Sequence, residues 1–394
     1  MADIAEILER GVANIIPGKT ELEKLLKKGT KLNIYLGIDP TSTKIHLGHA
    51  VVLRKLQQFA ILGHNVTFLI GDFTALIGDT SDKDSERPSL TREEIEENFK
   101  TYKKQAEKVL DFSKVKVRYN SEWLKKLTFE DIVKLTQHFS AGDFTSRELV
   151  KKRLSDGKRV GLHEFLYPVM QGYDSFFMDT DVQVGGTDQT FNMQAGRTLQ
   201  RDLRNKESVV LATPILEGPD GRKMSKSWGN AIWIDDNPKD MYAKVMAVED
   251  RLIITYFTLV TNIPLKEIDE IKKELEKGEN PISAKKQLAH EIVSELYGEE
   301  SAQAAQENFE RTVQRNELPE LIELHTFDKT ELGIIDILIH LPYEFSNSEA
   351  KRLIEQGGVS VNGKVIKNSN EVIKLNEDKL LKIGKRRVVK ISSK

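Results

Sequence analysis

Short apolar segments typical of strands alternate with helical segments over the first half of this chain, and that alternation limits the folds that the chain can adopt. Leu32–Ile38 is rich in β-forming residues, and Asp39-Pro40 then turns the chain, because proline fixes its own backbone angle. From His49 onward, apolar residues recur at helical spacing. Further strands are expected at Val66–Ile70, Val115–Tyr119 and Val209–Leu211. Buried strands joined by helices predict an α/β fold with a parallel, doubly wound sheet.

The second half of the chain has a different pattern. Residues from Pro238 to about Gln314 have the periodicity of helices only, and Asn316–Thr330 is a mixed, acidic segment that we interpret as a linker. Beyond it, Ser348–Ile354 predicts a helix, and Val359–Ile366 predicts a hairpin around an Asn-Gly turn. The predicted divisions are an α/β domain at residues 1–232, a helical domain at 233–320 and a small α+β domain at 333–394.

Composition excludes several classes of protein. A chain of 394 residues with 39% hydrophobic residues can bury more than one core. No segment approaches the ~18 consecutive apolar residues of a membrane span, and Glu6 and Glu9 interrupt the N-terminal apolar residues, unlike a signal peptide. The absence of cysteine excludes disulfides, thiolate zinc sites and cysteine nucleophiles, so a cytoplasmic location is expected.

The charge of the chain is unevenly distributed. Residues 341–394 carry 12 lysines and arginines against 6 acidic residues, a surplus of +6, although the whole chain has a net charge of −2. The remainder is therefore acidic. A basic C-terminal segment suggests a polyanionic partner, although a solvated tail that binds nothing is an equally simple interpretation.

Two short motifs have the residues that an ATP site needs. In His46-Leu47-Gly48-His49, the two histidines are three residues apart, so both can face one side of a helix start, where phosphate is favoured. Gly48 would let a flat base approach the backbone. In Lys223-Met224-Ser225-Lys226-Ser227, a loop carries lysines that could bind phosphates in the transition state. The alternatives are two surface histidines and a solvated basic turn.

A second group of polar residues could form a pocket for another substrate. Tyr167, Gln171 and Asp174 are four and three residues apart, so they share one face of a predicted helix. They are either a functional pocket or a set of surface groups. Gln183–Gln189 adds a pair of glycines that permit close backbone approach.

Taken together, these motifs resemble the class I aminoacyl-tRNA synthetases, and within them the bacterial-type tyrosyl-tRNA synthetases over essentially the whole chain. His46–His49 is similar to the HIGH signature with Leu47 in place of isoleucine, and Lys223–Ser227 is a complete KMSKS signature. The resemblance implies a Rossmann-like catalytic domain, a helical anticodon-binding domain and an S4-like RNA-binding domain. It also implies that tyrosine reacts with ATP to give tyrosyl-adenylate and pyrophosphate, and then passes to the terminal ribose of tRNA-Tyr.

The resemblance also implies a role for individual residues. Tyr35 and Asp174 match the pair that binds the tyrosine phenol. Asp79, Tyr167 and Gln171 match the groups that bind its ammonium, and Gln189 matches one on its carboxylate side. The implied ATP-binding residues are Asp39, His46, Gly48, His49, Gly186, Asp188 and Lys226. The implied catalytic residues are His46, His49, Lys83, Arg87, Lys223 and Lys226, with Lys83 and Arg87 closing over pyrophosphate from a loop in which Asp84 replaces a basic residue of many relatives.

The implied cofactors and partners are ATP with accompanying Mg²⁺, L-tyrosine, tRNA-Tyr and a second copy of the chain in a homodimer. No dedicated metal-binding residues and no membrane partner are expected. Two alternatives stay open: a tryptophan-specific relative with the same ATP motifs, and an RNA-binding or regulatory protein that kept the fold and lost catalysis.

Overall fold

The protein is represented by a computed structural model that describes residues 4–78, 91–314, 323–343, 345–384 and 387–394. The chain forms two compact units, Met1–Glu299 and Glu300–Lys394. The helices that the sequence assigned to a separate helical domain fall mostly in the first unit, while the predicted boundaries at residues 232 and 320 stay predictions. Among the described helices, none has both the length and the apolar character needed to cross a membrane.

A six-stranded sheet forms the centre of the first unit. Its strands are β1 (Asn14–Ile16), β2 (Asn33–Ile38), β3 (Asn65–Ile70), β4 (Val115–Tyr119), β5 (Val182–Gly186) and β6 (Val209–Thr213), in the spatial order β1-β6-β5-β2-β3-β4. Strands β2 to β6 are parallel, which confirms the predicted sheet. The prediction of a wholly parallel sheet was wrong for the edge strand β1. This strand pairs antiparallel with β6, so the sheet is mixed.

Helices surround this sheet and continue into a helical region after β6. Those before β5 are α1 (Ile4–Glu9), α2 (Lys19–Lys27), α3 (Leu47–Ile61), α4 (Arg92–Ala106), α5 (Ser121–Leu124), α6 (Phe129–Thr136), α7 (Ala141–Thr145), α8 (Glu148–Ser155) and α9 (Leu162–Phe177). The later ones are α10 (Thr190–Arg204), α11 (Pro238–Met246), α12 (Ile253–Val260), α13 (Leu265–Glu276) and α14 (Pro281–Tyr297), and α15 (Glu299–Phe309) runs across the boundary between the units. Capping residues explain where several helices begin. At the N-terminus of α11, for example, the Asn237 side chain accepts a hydrogen bond from the Lys239 N–H, and Pro238 occupies the first turn.

The topology of the sheet places a crevice between β2 and β5. From β2 the chain proceeds to β3 and β4 on one side, whereas β5 and β6 lie on the other side. Ligands of open α/β sheets bind at such a reversal, beyond the carboxyl ends of the strands. Tyr35 on β2 lies opposite Gln183 on β5 in the strand register, so these two side chains are neighbours on one face of the sheet.

The second unit contains its own small sheets and core. Its strands are β7 (Leu324–Phe327), β8 (Glu331–Gly333), β9 (Val359–Val361), β10 (Lys364–Ile366), β11 (Val372–Lys374), β12 (Lys379–Ile383) and β13 (Arg387–Ser393), and its remaining helices are α16 (Ile334–His340) and α17 (Asn347–Glu355). The predicted hairpin is present as β9 and β10, with Asn362 and Gly363 at φ of 47° and 81°. The linker prediction was wrong for Leu324–Phe327, because β7 pairs parallel with β13.

Candidate active site

Two histidines stand at the start of α3. His46 is the N-cap residue, and its Nδ1 accepts a hydrogen bond from the Gly48 N–H at 3.1 Å. Nδ1 of His49 accepts from the N–H of His46 at 3.1 Å, and the two ring centroids are 4.0 Å apart. Because each Nδ1 accepts a backbone proton, each neutral ring carries its own proton on Nε2. Both rings therefore offer an Nε2–H donor.

The charge state of these rings follows from their surroundings. Burial lowers the pKa of His46 to about 2, with His49 and Lys223 adding to the effect. Burial also lowers the pKa of His49 to about 4, opposed by the His46 backbone hydrogen bond and assisted by Lys223. Both rings are neutral at pH 7, so they can donate to phosphate oxygens without contributing charge.

Lys223 brings the second motif to the first. The positive charge of Lys223 lowers the pKa of both His46 and His49, in addition to burial. Its Nζ is also 3.4 Å from Oδ2 of Asp188, which follows β5. A backbone hydrogen bond from the Leu47 N–H to the Ile232 carbonyl, at 2.9 Å, joins the first motif to the segment that follows the second. His46, His49, Lys223 and Asp188 thus lie together in the first unit.

The loop that carries Lys223 is anchored by Asn230. The Oδ1 of Asn230 accepts from the Ser225 N–H at 2.9 Å, and its Nδ2 donates to Asp220 at 2.7 Å. The amide and then Arg222 lower the pKa of Asp220 to about 2, so the carboxylate is charged. Lys226 is exposed on the same loop. Hydrogen bonds to Asn230 therefore anchor the base of this loop, whereas Lys226 lies at the surface.

The turns after β2 and β3 form a second cluster. Oδ1 of Asp39 accepts from the Thr74 hydroxyl at 2.7 Å, and its Oδ2 accepts from the Tyr167 hydroxyl at 2.8 Å. A Cβ at Gly71 would collide with the side chains of Asp39 and Thr74, so glycine is required for this close approach. Asp39 was predicted to bind ATP and Tyr167 to bind tyrosine, and the two side chains are thus hydrogen-bonded to each other.

Asp174 on α9 is the most deeply placed carboxylate of the site. It is 3% exposed, Oδ1 accepts from Trp123 Nε1 at 2.7 Å, and Oδ2 accepts from Asn120 Nδ2 at 3.2 Å. Burial raises the pKa of Asp174 to about 8, opposed by these two hydrogen bonds. Burial raises the pKa of Tyr35, and the charge of Asp174 adds to the rise.

Tyr35 in turn is bonded to a residue that the sequence analysis did not single out. Its hydroxyl donates to Oε1 of Gln183 at 3.1 Å, and Gln183 Nε2 donates to the Met193 carbonyl at 3.0 Å. Gln183 is 1% exposed. Its polar side chain inside a buried strand is the one sequence signal that could have identified it, because buried amides need partners.

The remaining predicted residues are placed as follows. Gly186 lies beside Asp188, where a Cβ would come within 2.5 Å of the Asp188 Oδ1. The Gln189 Oε1 accepts from Asn192 at 3.1 Å, and Gln171 is half-buried on α9. A Cβ at Gly48 would lie 2.9 Å from the His46 ring, so this glycine leaves room for the histidine, and its approach to a nucleotide base stays a prediction. Asp79, Lys83, Asp84 and Arg87 lie outside the described residues.

Comparison with known proteins identifies the family. Residues 27–314 match the family described as tRNA synthetases class I (W and Y), and residues 335–378 match the S4 domain. The chain belongs to the class I tRNA synthetases of this tryptophan and tyrosine group. Among its relatives, it is 42% identical to the tyrosine–tRNA ligase of Thermotoga maritima over 389 residues, which cover 98% of this chain and 96% of the relative.

Further relatives agree with this family. The chain is 44% identical to the tyrosine–tRNA ligase of Carboxydothermus hydrogenoformans over 397 residues, which cover 98% of this chain and 97% of the relative. The solved mitochondrial tyrosyl-tRNA synthetase of Aspergillus nidulans superposes with a TM-score of 0.65 at 23% identity, covering 77% of this chain and 92% of that one. This last similarity supports the fold alone.

Proposed function

We propose that this protein is a tyrosine–tRNA ligase. It joins L-tyrosine to ATP, giving tyrosyl-adenylate and pyrophosphate, and then transfers tyrosine to the 3′-terminal ribose of tRNA-Tyr. The class of reaction follows from the family, and relatives at 42% and 44% identity over nearly the whole chain are named for this activity. One observation carries the choice of tyrosine: the buried carboxyl of Asp174, which Trp123 and Asn120 hold by hydrogen bonds and which acts on the pKa of the buried Tyr35.

The ATP end of the proposed site consists of donors around Lys223. The Nε2–H groups of His46 and His49 bind phosphate oxygens, and Asp188 binds the ribose hydroxyls. Lys223 and Lys226 stabilise the charge that develops as pyrophosphate leaves, which lowers the barrier because that charge is absent in the ground state. Mg²⁺ enters with ATP. Lys83 and Arg87 keep their predicted role in closing over pyrophosphate.

The tyrosine end of the proposed site consists of the clusters around Asp39 and Asp174. Asp174 and Tyr35 bind the phenol, and Tyr167, with Gln171 and Asp79, binds the α-ammonium. Tyr167 is suited to this role, because its hydroxyl donates its proton to Asp39 and a phenol oxygen can also accept from an ammonium. An indole has no hydroxyl for Tyr35 and Asp174 to bind, and the relatives at 42% and 44% identity are named for tyrosine. This disfavours the tryptophan-specific alternative.

ATP–pyrophosphate exchange across the twenty amino acids tests the proposal. Exchange with tyrosine alone supports it, and subsequent charging of tRNA-Tyr completes the test. Exchange with tryptophan would indicate the tryptophan-specific relative, and exchange with none would indicate an RNA-binding protein without catalysis. The basic C-terminal segment, residues 341–394, carries Lys351 and Arg352 on α17 and Lys364 on the hairpin, and it supplies the proposed contacts to tRNA phosphates. The cytoplasm, where translation occurs, is the proposed compartment.

We also propose that the partner of this chain is a second copy. Exposed apolar residues lie on α6, α8 and α9, where Phe129 is 84% exposed and Leu162 is 81% exposed, with Val133 and Leu154 also exposed. Helices α6 and α9 contact each other, and we propose that their exposed apolar residues form one surface. Exposed apolar patches mark interfaces, and a self-complementary patch gives a twofold dimer. Analytical ultracentrifugation of the unaltered protein is expected to give twice the mass of one chain. The same measurement on Leu162→Asp is expected to give the mass of a single chain.

A further inference from the structure

We infer that Trp228, on the loop that carries Lys223 and Lys226, is a stacking platform for an unpaired base at the 3′ end of tRNA, and that Arg222 holds the other face of its ring. The inference rests on the proposed function, because it concerns how the tRNA end is held at the site assigned there. It adds a positioning residue for the transfer step and leaves the adenylation step to the residues already named.

Trp228 differs from the other tryptophans of the chain in its exposure. The chain has three tryptophans, of which Trp123 is 2% exposed and Trp233 is half-buried. Trp228 is 52% exposed, although an indole is a large apolar group. Single exposed apolar residues are common on protein surfaces, so exposure alone does not indicate a function. What distinguishes this indole is how it is supported and where it lies.

An ion pair and a hydrogen bond support one face of the indole. The guanidinium of Arg222 lies over the ring of Trp228, 5.0 Å from its centroid. Nε of Arg222 donates to Oδ2 of Asp220 at 2.8 Å, and Asp220 accepts from Nδ2 of Asn230 at 2.7 Å. Asn230 is buried and also accepts from the Ser225 N–H. Arg222 is thus anchored to the base of the loop and holds one ring face, so the opposite face is the one that can receive a planar group.

The loop places this ring beside the phosphate end of the site. Lys223, at one end of the loop, pairs with Asp188, which is assigned to the ATP ribose. Trp233, at the other end, has its ring centroid 5.8 Å from that of His46. Trp228 lies five residues from Lys223 and five from Trp233, and five residues of extended chain span at most about 18 Å. A short single strand therefore reaches from the indole to the place where the terminal ribose must react.

The chemistry of this surface fits single-stranded RNA. Unpaired bases stack on aromatic rings, and such stacking tolerates any base because every base has a π face. Lys226, two residues away, is exposed and adds positive charge, while Arg222 neutralises Asp220. The adenine of bound ATP is a less suitable partner, because sites enclose most of a small ligand, whereas half of Trp228 is open. A tRNA end approaches from outside and can cover such a ring.

The two steps of the reaction test this separately. Trp228→Ala should lower kcat/KM for tRNA-Tyr in the transfer step by about tenfold or more, because a base loses its stacking partner. Tyrosine-dependent ATP–pyrophosphate exchange, which needs no tRNA, should stay within about twofold of wild type, with an unchanged KM for ATP. Rapid mixing of the preformed tyrosyl-adenylate complex with tRNA-Tyr measures transfer. Wild-type transfer, or a raised KM for ATP, would overturn the inference and leave the proposed function intact. Absence of exchange with tyrosine in the unaltered protein would overturn both.

Trp228→Phe and Trp228→Leu are the matched pair for this measurement. Phenylalanine keeps an aromatic face and should lower kcat/KM for tRNA-Tyr by less than about threefold. Leucine keeps an apolar side chain without a π face and should lower it about as much as alanine does. Equal values in the two variants would mean that the indole only excludes water, and would overturn the inference.

A double-mutant cycle tests the support from Arg222. Arg222→Met removes the guanidinium and should lower transfer about threefold when Trp228 is present. In the Trp228→Ala background the same change should have less than about a 1.5-fold effect, because no ring remains to be held. Equal losses in both backgrounds would mean that Arg222 contacts the tRNA by itself, and would overturn the support assigned to it.

Fluorescence quenching tests the same contact in the unaltered protein, so it decides even if a variant does not fold. Acrylamide should quench Trp228 in the free protein, and saturating tRNA-Tyr should protect it. The signal that disappears in Trp228→Phe identifies this residue. A tRNA-Tyr trimmed of its unpaired 3′ nucleotides, at a saturating concentration, should not protect it, and neither should ATP alone. Protection by either, or no protection by intact tRNA-Tyr, would overturn the inference.

Discussion

The two ends of the candidate active site are built in opposite ways. At the amino-acid end, Asp174, Asn120 and Gln183 are at most 3% exposed, and they lie on α9, at the start of α5 and on β5. Hydrogen bonds to backbone groups fix the direction of both amides. At the phosphate end, Lys226 lies exposed on a loop, and Lys223 has a 3.4 Å ion pair to Asp188.

This difference corresponds to two chemical tasks. Selecting one amino acid requires donors and acceptors that are fixed before the substrate arrives, since a site that can rearrange also accommodates the wrong side chain. Stabilising pyrophosphate as it leaves requires charges that interact most strongly in the transition state and then release the product. We therefore expect substitutions at the phosphate end to change rates, and substitutions at the amino-acid end to change selectivity and stability.

The largest expected effect is at the phosphate end. Lys226→Ala should lower the rate of adenylate formation by about 10²- to 10³-fold, because it removes a charge that acts on the developing negative charge. The dissociation constant of tyrosine should change less than about twofold. Rapid-quench kinetics and equilibrium binding measure the two quantities. Lys239→Ala, an exposed lysine on α11, is the control. A wild-type rate in Lys226→Ala would contradict the assigned role.

At the amino-acid end, Asp174→Ala should narrow the preference for tyrosine over phenylalanine by about 100-fold. The phenol loses its carboxyl partner, and the N–H groups of Trp123 and Asn120 lose theirs. Exchange assays with both amino acids give the ratio of kcat/KM. The control is Asp143→Ala, an exposed carboxylate on α7. An unchanged ratio would remove Asp174 from phenol recognition.

Substitutions at the two ends of the site should also differ in their effect on the free energy of unfolding. Asn120→Ala removes a side chain that accepts from Phe73 and donates to Thr74 and Asp174, so the free energy of unfolding should fall by about 2 kcal/mol. Ser227→Ala on the exposed loop should change it by less than about 0.5 kcal/mol. Urea titration measures both. Similar losses in the two variants would mean that the loop is as tightly integrated as the amino-acid end.

The same contrast explains what could be predicted from the sequence. β2 and β3 are largely apolar, and β4 alternates valine with lysine and arginine; all three appear within a residue of their predicted bounds. The edge strand β1 was missed because three residues carry too little pattern. β7 was missed because its residues are exposed or half-buried in alternation, without the apolar run that marks a strand.

The candidate site divides in the same way. The histidine and lysine motifs of the phosphate end are local in sequence, so they could be found without a structure, although their chemical roles stay predictions. Asn120, Trp123 and Gln183 belong to the amino-acid end only through contacts between distant elements. Gln183, for example, meets Tyr35 across 148 positions of sequence. No local pattern encodes such a contact, because it depends on the order of strands in the sheet.

The smallest expected effect is a pH dependence confined to the amino-acid end. Burial raises the pKa of Asp174 to about 8, with Asp39 and Asp72 adding to the rise and Trp123 and Asn120 opposing it. Below that pH the carboxyl holds a proton and is a poorer acceptor, whereas above it the carboxylate only accepts.

The preference for tyrosine over phenylalanine should therefore rise several-fold from pH 7 to pH 9, and the rise should be absent in Asp174→Ala. The pKa values of His46 and His49 lie at about 2 and 4, so the histidines do not titrate in this range. Exchange rates with both amino acids at each pH measure the ratio. A flat ratio would mean that Asp174 is already ionised at pH 7, and that donors from Trp123 and Asn120 outweigh its burial.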